Sequence, residues 1–178
     1  MLWLFAIVLG LVFGLLTGGK IGNLARLRFR WPWLILAAVV VREAVLLTPL
    51  NRVDAARFAY VVALAAIVLW TIAHFERLPG IWLVTAGAAL NLLVIVVNGA
   101  RMPVAPEFAA SLVRHGNVAQ YTVMGPGTNL NVLGDWISLY PVPETYSPGD
   151  VLIALGLAIV VFLAVRNLKP YRSELTPP

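Results

Sequence analysis

Few side chains in this sequence could do chemistry, and they fall in a few places. Arg42 and Glu43 stand side by side in an otherwise apolar run, from Trp31 to Thr48. Asn91 and Asn98 lie seven residues apart in a second run, GIWLVTAGAALNLLVIVVN, which leaves through Gly99-Ala100-Arg101-Met102-Pro103. Seven residues are two helical turns, so the two amides share a face, and Arg101 follows about one turn later. Charged groups amid apolar residues are costly unless they face a partner or water. Arg42, Glu43, Asn91, Asn98 and Arg101 therefore form a candidate polar track for a small solute or a lipid headgroup. The competing reading is structural: a buried ion pair and interhelical amide hydrogen bonds. Neighbours on a helix point about 100° apart, so Arg42 and Glu43 need not pair with each other.

Other chemistries find no pattern. The two histidines, His74 and His115, are predicted on opposite sides of the chain's apolar layer and cannot share a metal or haem. Without cysteine, disulfides, iron–sulfur clusters, thiolate metal sites and cysteine nucleophiles drop out. No zincin, nucleophile-elbow or P-loop spacing occurs. The expectation is no catalytic residue, no metal and no cofactor. One weaker grouping, Arg101, Arg114, His115 and Asp135, could meet a lipid phosphate.

The elements that must position these residues are apolar helices. Hydrophobic residues make up 61%, charged residues 12%, and mean hydropathy is +0.89. Soluble domains carry about 25% charged residues. We read an all-α integral membrane protein, one membrane domain over 1–178, with five helices at about 2–17, 31–48, 55–74, 80–98 and 148–167. A long loop, about 100–146, holds Pro103, Pro106, Pro126, Pro141 and Pro143 and is not a span. Within it, Pro106–Gly116 reads as a short helix, and 120–124 and 130–139 as extended pieces around Gly125-Pro126-Gly127-Thr128. Ser147, Pro148 and Asp150 spell the start of the fifth helix.

Orientation follows from charge. No basic segment precedes the first apolar run, which fits an uncleaved first helix with its N-terminus outside. The cytoplasmic pieces then hold eight basic residues, Lys20, Arg26, Arg28, Arg30, Arg77, Arg166, Lys169 and Arg172, and the outer pieces four. The excess places the C-terminus inside and the long loop outside. Arg42 and Asn91 both lie 11 residues from the inner ends of their helices, at about 16 Å for 1.5 Å per residue, so they share a depth. The net charge of +5 marks the cytoplasmic leaflet and implies no nucleic acid.

Two surfaces suggest association. Ala6, Gly10, Gly14 and Gly18 recur at every fourth position, a stripe for close helix packing within the chain or in a homo-oligomer. Lys20, Arg26, Arg28 and Arg30 form a basic loop for anionic headgroups. The expected partners are the lipid bilayer and a membrane protein or second copy through helix one. The leading expectation is a non-enzymatic accessory or scaffold subunit. The alternatives are a carrier or binding protein for a solute or lipid headgroup, and an outer-leaflet lipid-modifying enzyme.

The run Asn91 to Val104, NLLVIVVNGARMPV, resembles the signature of the DUF5317 family of small bacterial multi-pass membrane proteins. The loop Gly18 to Arg28, the segment Leu133-Gly134-Asp135-Trp136-Ile137 and the start Ser147-Pro148-Gly149-Asp150-Val151 agree with it. The resemblance implies a multi-pass location in the bacterial plasma membrane and supplies no reaction. The Arg42-Glu43 pair has no place in that pattern.

Overall fold

The computed structural model describes residues 1–27, 29–53, 55–109, 120–139 and 144–167, with only the backbone at 46, 51 and 52. The chain is mostly helical. Its helices are α1 (Leu2–Leu16), α2 (Pro32–Leu47), α3 (Ala56–Ile72), α4 (Ile81–Val97) and α5 (Pro148–Val165). Local chemistry sets their ends. Pro32 takes the first position of α2 and Pro49 follows its C-cap Thr48, while Gly80, at φ +88°, opens α4. Ser147 caps α5, accepting from Asp150 N–H, and the Asp150 carboxylate returns the bond to Ser147 N–H.

Five spans exceed what helix length and composition establish. Among the described residues only α5, at 18 residues, is long and apolar enough by these measures to cross a membrane. The helices α1, α3 and α4 are apolar but run 15 to 17 residues. In α2, 16 residues long, Arg42 and Glu43 interrupt the apolar run.

The helices form an arc. α5 lies between α1 and α4, α4 also packs on α3, and α3 on α2. Small residues make the close contacts. A Cβ on Gly10 would collide with the Ala158 carbonyl, and one on Gly87 with the Gly149 carbonyl. One on Gly14 would come within 3.1 Å of Val165 Cβ, and one on Gly156 within 2.7 Å of Val84 N. Large apolar side chains point outward instead, including Leu4, Phe5, Trp33, Leu36, Val62, Leu69, Trp82 and Leu155. Gly18 departs from the stripe. It lies beyond the end of α1 at φ +90°, with nothing within 4 Å of its missing Cβ, so it serves a turn.

At one end of the arc the basic loop is tied down. Lys20 N–H and the Asn23 side-chain amide both donate to the Val165 carbonyl, at 3.0 and 2.7 Å. Lys20, Arg26 and Arg30 are exposed, while Arg28 lies outside the described residues. His74 is 0% exposed. Its Nε2 accepts from Arg30 N–H at 2.9 Å, which leaves Nδ1–H to donate to the Trp70 carbonyl at 2.7 Å. The Trp70 indole stacks on the His74 ring and donates to the Arg30 carbonyl.

Two small sheets stand at the other end. β1 (Met102–Val104) pairs in parallel with β2 (Tyr121–Val123), and β3 (Ile137–Ser138) pairs antiparallel with β4 (Thr145–Tyr146). The extended pieces expected at 120–124 and 130–139 are shorter than their spans, and Asn131–Leu133 is a 3-10 turn. Pro106 to Ala109 is helical. The rest of the short helix expected to Gly116 lies outside the described residues.

A larger residue at Gly10 must push α1 off α5. Gly10→Val is expected to lower stability by about 1–3 kcal/mol, whereas Gly22→Ala, in open space, should stay within about 0.5 kcal/mol. Equal unfolding midpoints for the two variants in thermal denaturation would refute this packing.

Candidate functional site

All five helices contribute to a cavity of ≈480 Å³ at the sheet end. α1 supplies Trp3, α2 Arg42 and Glu43, α3 Tyr60, α4 Asn91 and Ile95, and α5 Asp150. The sheets add Met102, Tyr121, Thr145 and Tyr146, and the connecting loops Gln120, Asp135 and Glu144.

The strand β1 organises the loop side. Met102 N–H donates to Gln120 O at 2.8 Å, and Val104 O accepts from Met124 N–H at 2.8 Å. On its other edge, Pro103 O accepts from Asp135 N–H and Ala105 N–H donates to Asp135 O, both at 2.9 Å. Proline has no N–H, yet here its carbonyl serves the sheet. Gly134 permits the close approach, since a Cβ there would sit 2.6 Å from Pro103 O. The result fixes Gln120, Tyr121 and Asp135 around one short strand.

Asn91 and Asp150 form the opposite wall. Asn91 donates through Nδ2 to Asp150 Oδ1 at 3.0 Å, and its Oδ1 accepts from Ser147 Oγ at 2.8 Å. The capping box of α5 is thereby joined to the middle of α4. Arg42 pairs with Glu43, a contact that the helical angle between neighbours does not require and that two long side chains reach by bending back. The Arg42 guanidinium also lies 5.2 Å from the Trp3 ring centre and 5.9 Å from that of Tyr60, within the range of cation–π attraction. Glu144 accepts from Tyr146 Oη at 2.7 Å and from the Met1 amino group at 2.8 Å.

Three buried polar atoms of residues lining the cavity have no hydrogen-bond partner among the described residues: Trp3 Nε1, Gln120 Oε1 and Asp135 Oδ1. Gln120 spends its amide N–H on the Val45 carbonyl at 3.1 Å. Burial, then the nearby Asp150 carboxylate, push the Asp135 carboxyl well above its usual range. Burial likewise raises the Tyr121 hydroxyl, which stays a protonated phenol.

Of the residues singled out in the sequence, Arg42, Glu43 and Asn91 line this cavity and Asn98 and Arg101 do not. Asn98 caps α4 instead. Its Nδ2 donates to Val94 O and Asn129 O, and its Oδ1 accepts from Asn129 N–H at 2.8 Å. The phosphate grouping is not assembled: Asp135 faces the cavity without Arg101, and Arg114 and His115 lie outside the described residues. Sequence reasoning missed Trp3, Tyr60, Gln120, Tyr121, Glu144 and Tyr146. None carries a spacing signal, because they fall in four separate stretches of the chain. Among the described residues no group of three His, Asp or Glu is placed to hold a metal ion.

Two outcomes are expected. Asn91→Leu takes one partner each from Asp150 and Ser147 and should cost about 1–3 kcal/mol in thermal unfolding; an unchanged midpoint would remove Asn91 from the α4–α5 joint. Asp135 binds a proton more tightly folded than unfolded, so its contribution is full below about pH 3.8 and is lost as pH rises towards its folded pKa. Across that window the stability of the wild type should fall relative to Asp135→Asn. Parallel pH profiles for the two would contradict the burial of this carboxyl.

Three of the four stretches on which the family resemblance rests meet here: Asn91 and Met102, Asp135, and Asp150 all line the cavity, and the loop Gly18 to Arg28 does not. No curated protein and no solved structure matches the chain. Residues 26–162, most of the chain, match the family of unknown function DUF5317, and the protein is a member of that family.

Proposed function

We propose that this is a five-span protein of the bacterial plasma membrane, N-terminus outside and C-terminus inside, whose outer-side cavity binds a small polar solute or lipid headgroup. The observation that carries the binding reading is a cavity of ≈480 Å³ whose wall holds three buried polar atoms without a partner among the described residues. Buried polar groups in folded proteins are almost always paired. A site that leaves several unpaired around one space is complementary to a molecule that pairs them.

The membrane reading is supported by the inside-out arrangement of side chains. Glycine and alanine fill the helix contacts while Leu, Phe, Val and Trp face outward. Lipid favours this, since tight backbone packing replaces the hydrophobic effect between helices. A soluble monomer rarely exposes so much contiguous apolar surface. Helices of 15 to 18 residues reach about 22–27 Å, and local thinning and snorkelling accommodate such a mismatch. The direction rests on the basic loop at one end and the cavity at the other.

An accessory subunit acting by association is the second reading. The stripe at Gly10 and Gly14 is occupied by α5, so that reading rests on the exposed Lys20, Arg26 and Arg30. Outer-leaflet lipid chemistry is the third, and within the cavity the chain offers it Asp135 and Asp150.

A screen of small polar solutes and lipid headgroups should find at least one that raises the unfolding temperature of the wild type but not of Glu43→Leu or Asp135→Leu. Stabilisation that ignores both substitutions, or none from any compound, would defeat the binding reading. The chain has no cysteine, so single cysteines report topology cleanly. Gly125→Cys should react with an impermeant maleimide on intact cells and Gly22→Cys only after lysis; the reverse pattern would invert the orientation.

A further inference from the structure

The cavity is not uniform. At its α1–α2 end, Arg42 is the resident cation, held by Glu43 and by the Trp3 and Tyr60 rings. At the loop end the unpartnered groups are acceptors. Asp135 is 7% exposed and Gln120 3%, and Asp135 Oδ1 and Gln120 Oε1 both lack a donor among the described residues. Their residues flank β1 on its two edges and line the same cavity.

The charges facing Asp135 settle what kind of donor suits it. Burial raises the proton affinity of Asp135 first, and the Asp150 carboxylate on α5 adds to it. From β2 and α3 come the neutral phenols Tyr121 and Tyr60, and from the approach to β4 the Glu144 carboxylate, engaged by Tyr146 and the Met1 amino group. From α2, Arg42 is matched by Glu43. The groups named around Asp135 therefore hold negative charge without a cation committed to it, and burial, then the Asp150 charge, favours the protonated form of its carboxyl. Its two open acceptors call for a donor group that is also positive.

We propose that the Asp135–Gln120 end of the cavity seats a primary ammonium group, and that its binding releases the Asp135 carboxyl proton to solvent. The O–H bond of Asp135 breaks, the proton leaves to water, and the carboxylate pairs with the incoming –NH3+. Charge in the site is conserved: one cation enters and one proton departs. The ammonium N–H groups bond Asp135 Oδ1 and Gln120 Oε1. A quaternary ammonium has no N–H and leaves both acceptors open. This inference rests on the binding reading above and names its ligand chemistry, which a free amine or the headgroup of an aminophospholipid could supply.

The test uses ethanolamine, choline and glycerol with the purified full-length protein. Isothermal titration in two buffers of different ionisation enthalpy should show about one proton released per ethanolamine bound. Affinity should rise about tenfold per pH unit while Asp135 is protonated in the empty site. Choline and glycerol should bind at least tenfold more weakly. Asp135→Asn, nearly isosteric, should bind ethanolamine without proton release and without the pH slope. Gln120→Met should weaken binding roughly tenfold and keep the proton release, which guards against reading a folding defect as a site effect. Nanodiscs separate the sources. If phosphatidylethanolamine in place of phosphatidylcholine blocks ethanolamine binding, the headgroup is the ligand; if it has no effect, the free amine is. Ethanolamine binding without proton release, or choline binding as tightly, overturns the ammonium inference. So does binding of neutral solutes alone, which leaves the cavity reading standing. Failure of the whole solute screen removes both.

Discussion

The close approach of α5 to α4 is the constraint on which the rest depends. A side chain on Gly149 would collide with Asn91 Oδ1 and come within 2.7 Å of the Gly87 carbonyl. Because neither glycine carries one, the two backbones nearly touch and Asn91 reaches Ser147 and Asp150. Buried between the helices, each of these groups must find its partner in the protein. The capping box thus does two things at once. It satisfies the first amides of α5, and it presents to α4 a carboxylate and a hydroxyl that an amide can bridge. The same contact sets α5 between α4 and α1, where Gly10 and Gly14 accept it.

From that joint the cavity follows as a gap the arc cannot close. Asp150 is held at one wall by Asn91, Arg42 at another by aromatic rings and Glu43, and the strand Met102–Val104 lays Gln120, Tyr121 and Asp135 across the remaining side. Each group is positioned by backbone or by a neighbouring side chain of the cavity wall. That preorganisation leaves some polar atoms without a partner among the described residues, and it separates a cationic end from an acceptor end. At the opposite end the His74 ring, the Trp70 indole, the Asn23 amide and the Lys20 N–H bond to backbone atoms, so that end reads as anchorage for the basic loop.

How much of this was legible in the sequence varies with the range of the interaction. The mostly helical character was legible, because long apolar runs punctuated by Pro, Gly and cap residues are local signals. The cap at Ser147 to Asp150 was legible in its own four residues. Asn91 could be placed level with Arg42 by counting residues, and both line one cavity. The same counting misled for Asn98 and Arg101. A shared helical face predicts direction only while the helix continues, and the chain turns at Gly99 (φ +66°) and Ala100 (φ +65°).

By itself, then, the sequence determined the apolar helices, the charge asymmetry between the two ends, the cap of the last helix and the family. Each is written in neighbouring residues or in composition. Only the tertiary structure decided that Asn91 bonds the last helix across 59 residues of chain, that α5 fills the surface at Gly10 and Gly14, and that Asp135 and Gln120, on opposite edges of β1, line one cavity. These depend on contacts between backbones distant in sequence, where a missing Cβ on one strand or helix matters only in the presence of the other. No spacing rule along the chain carries that information.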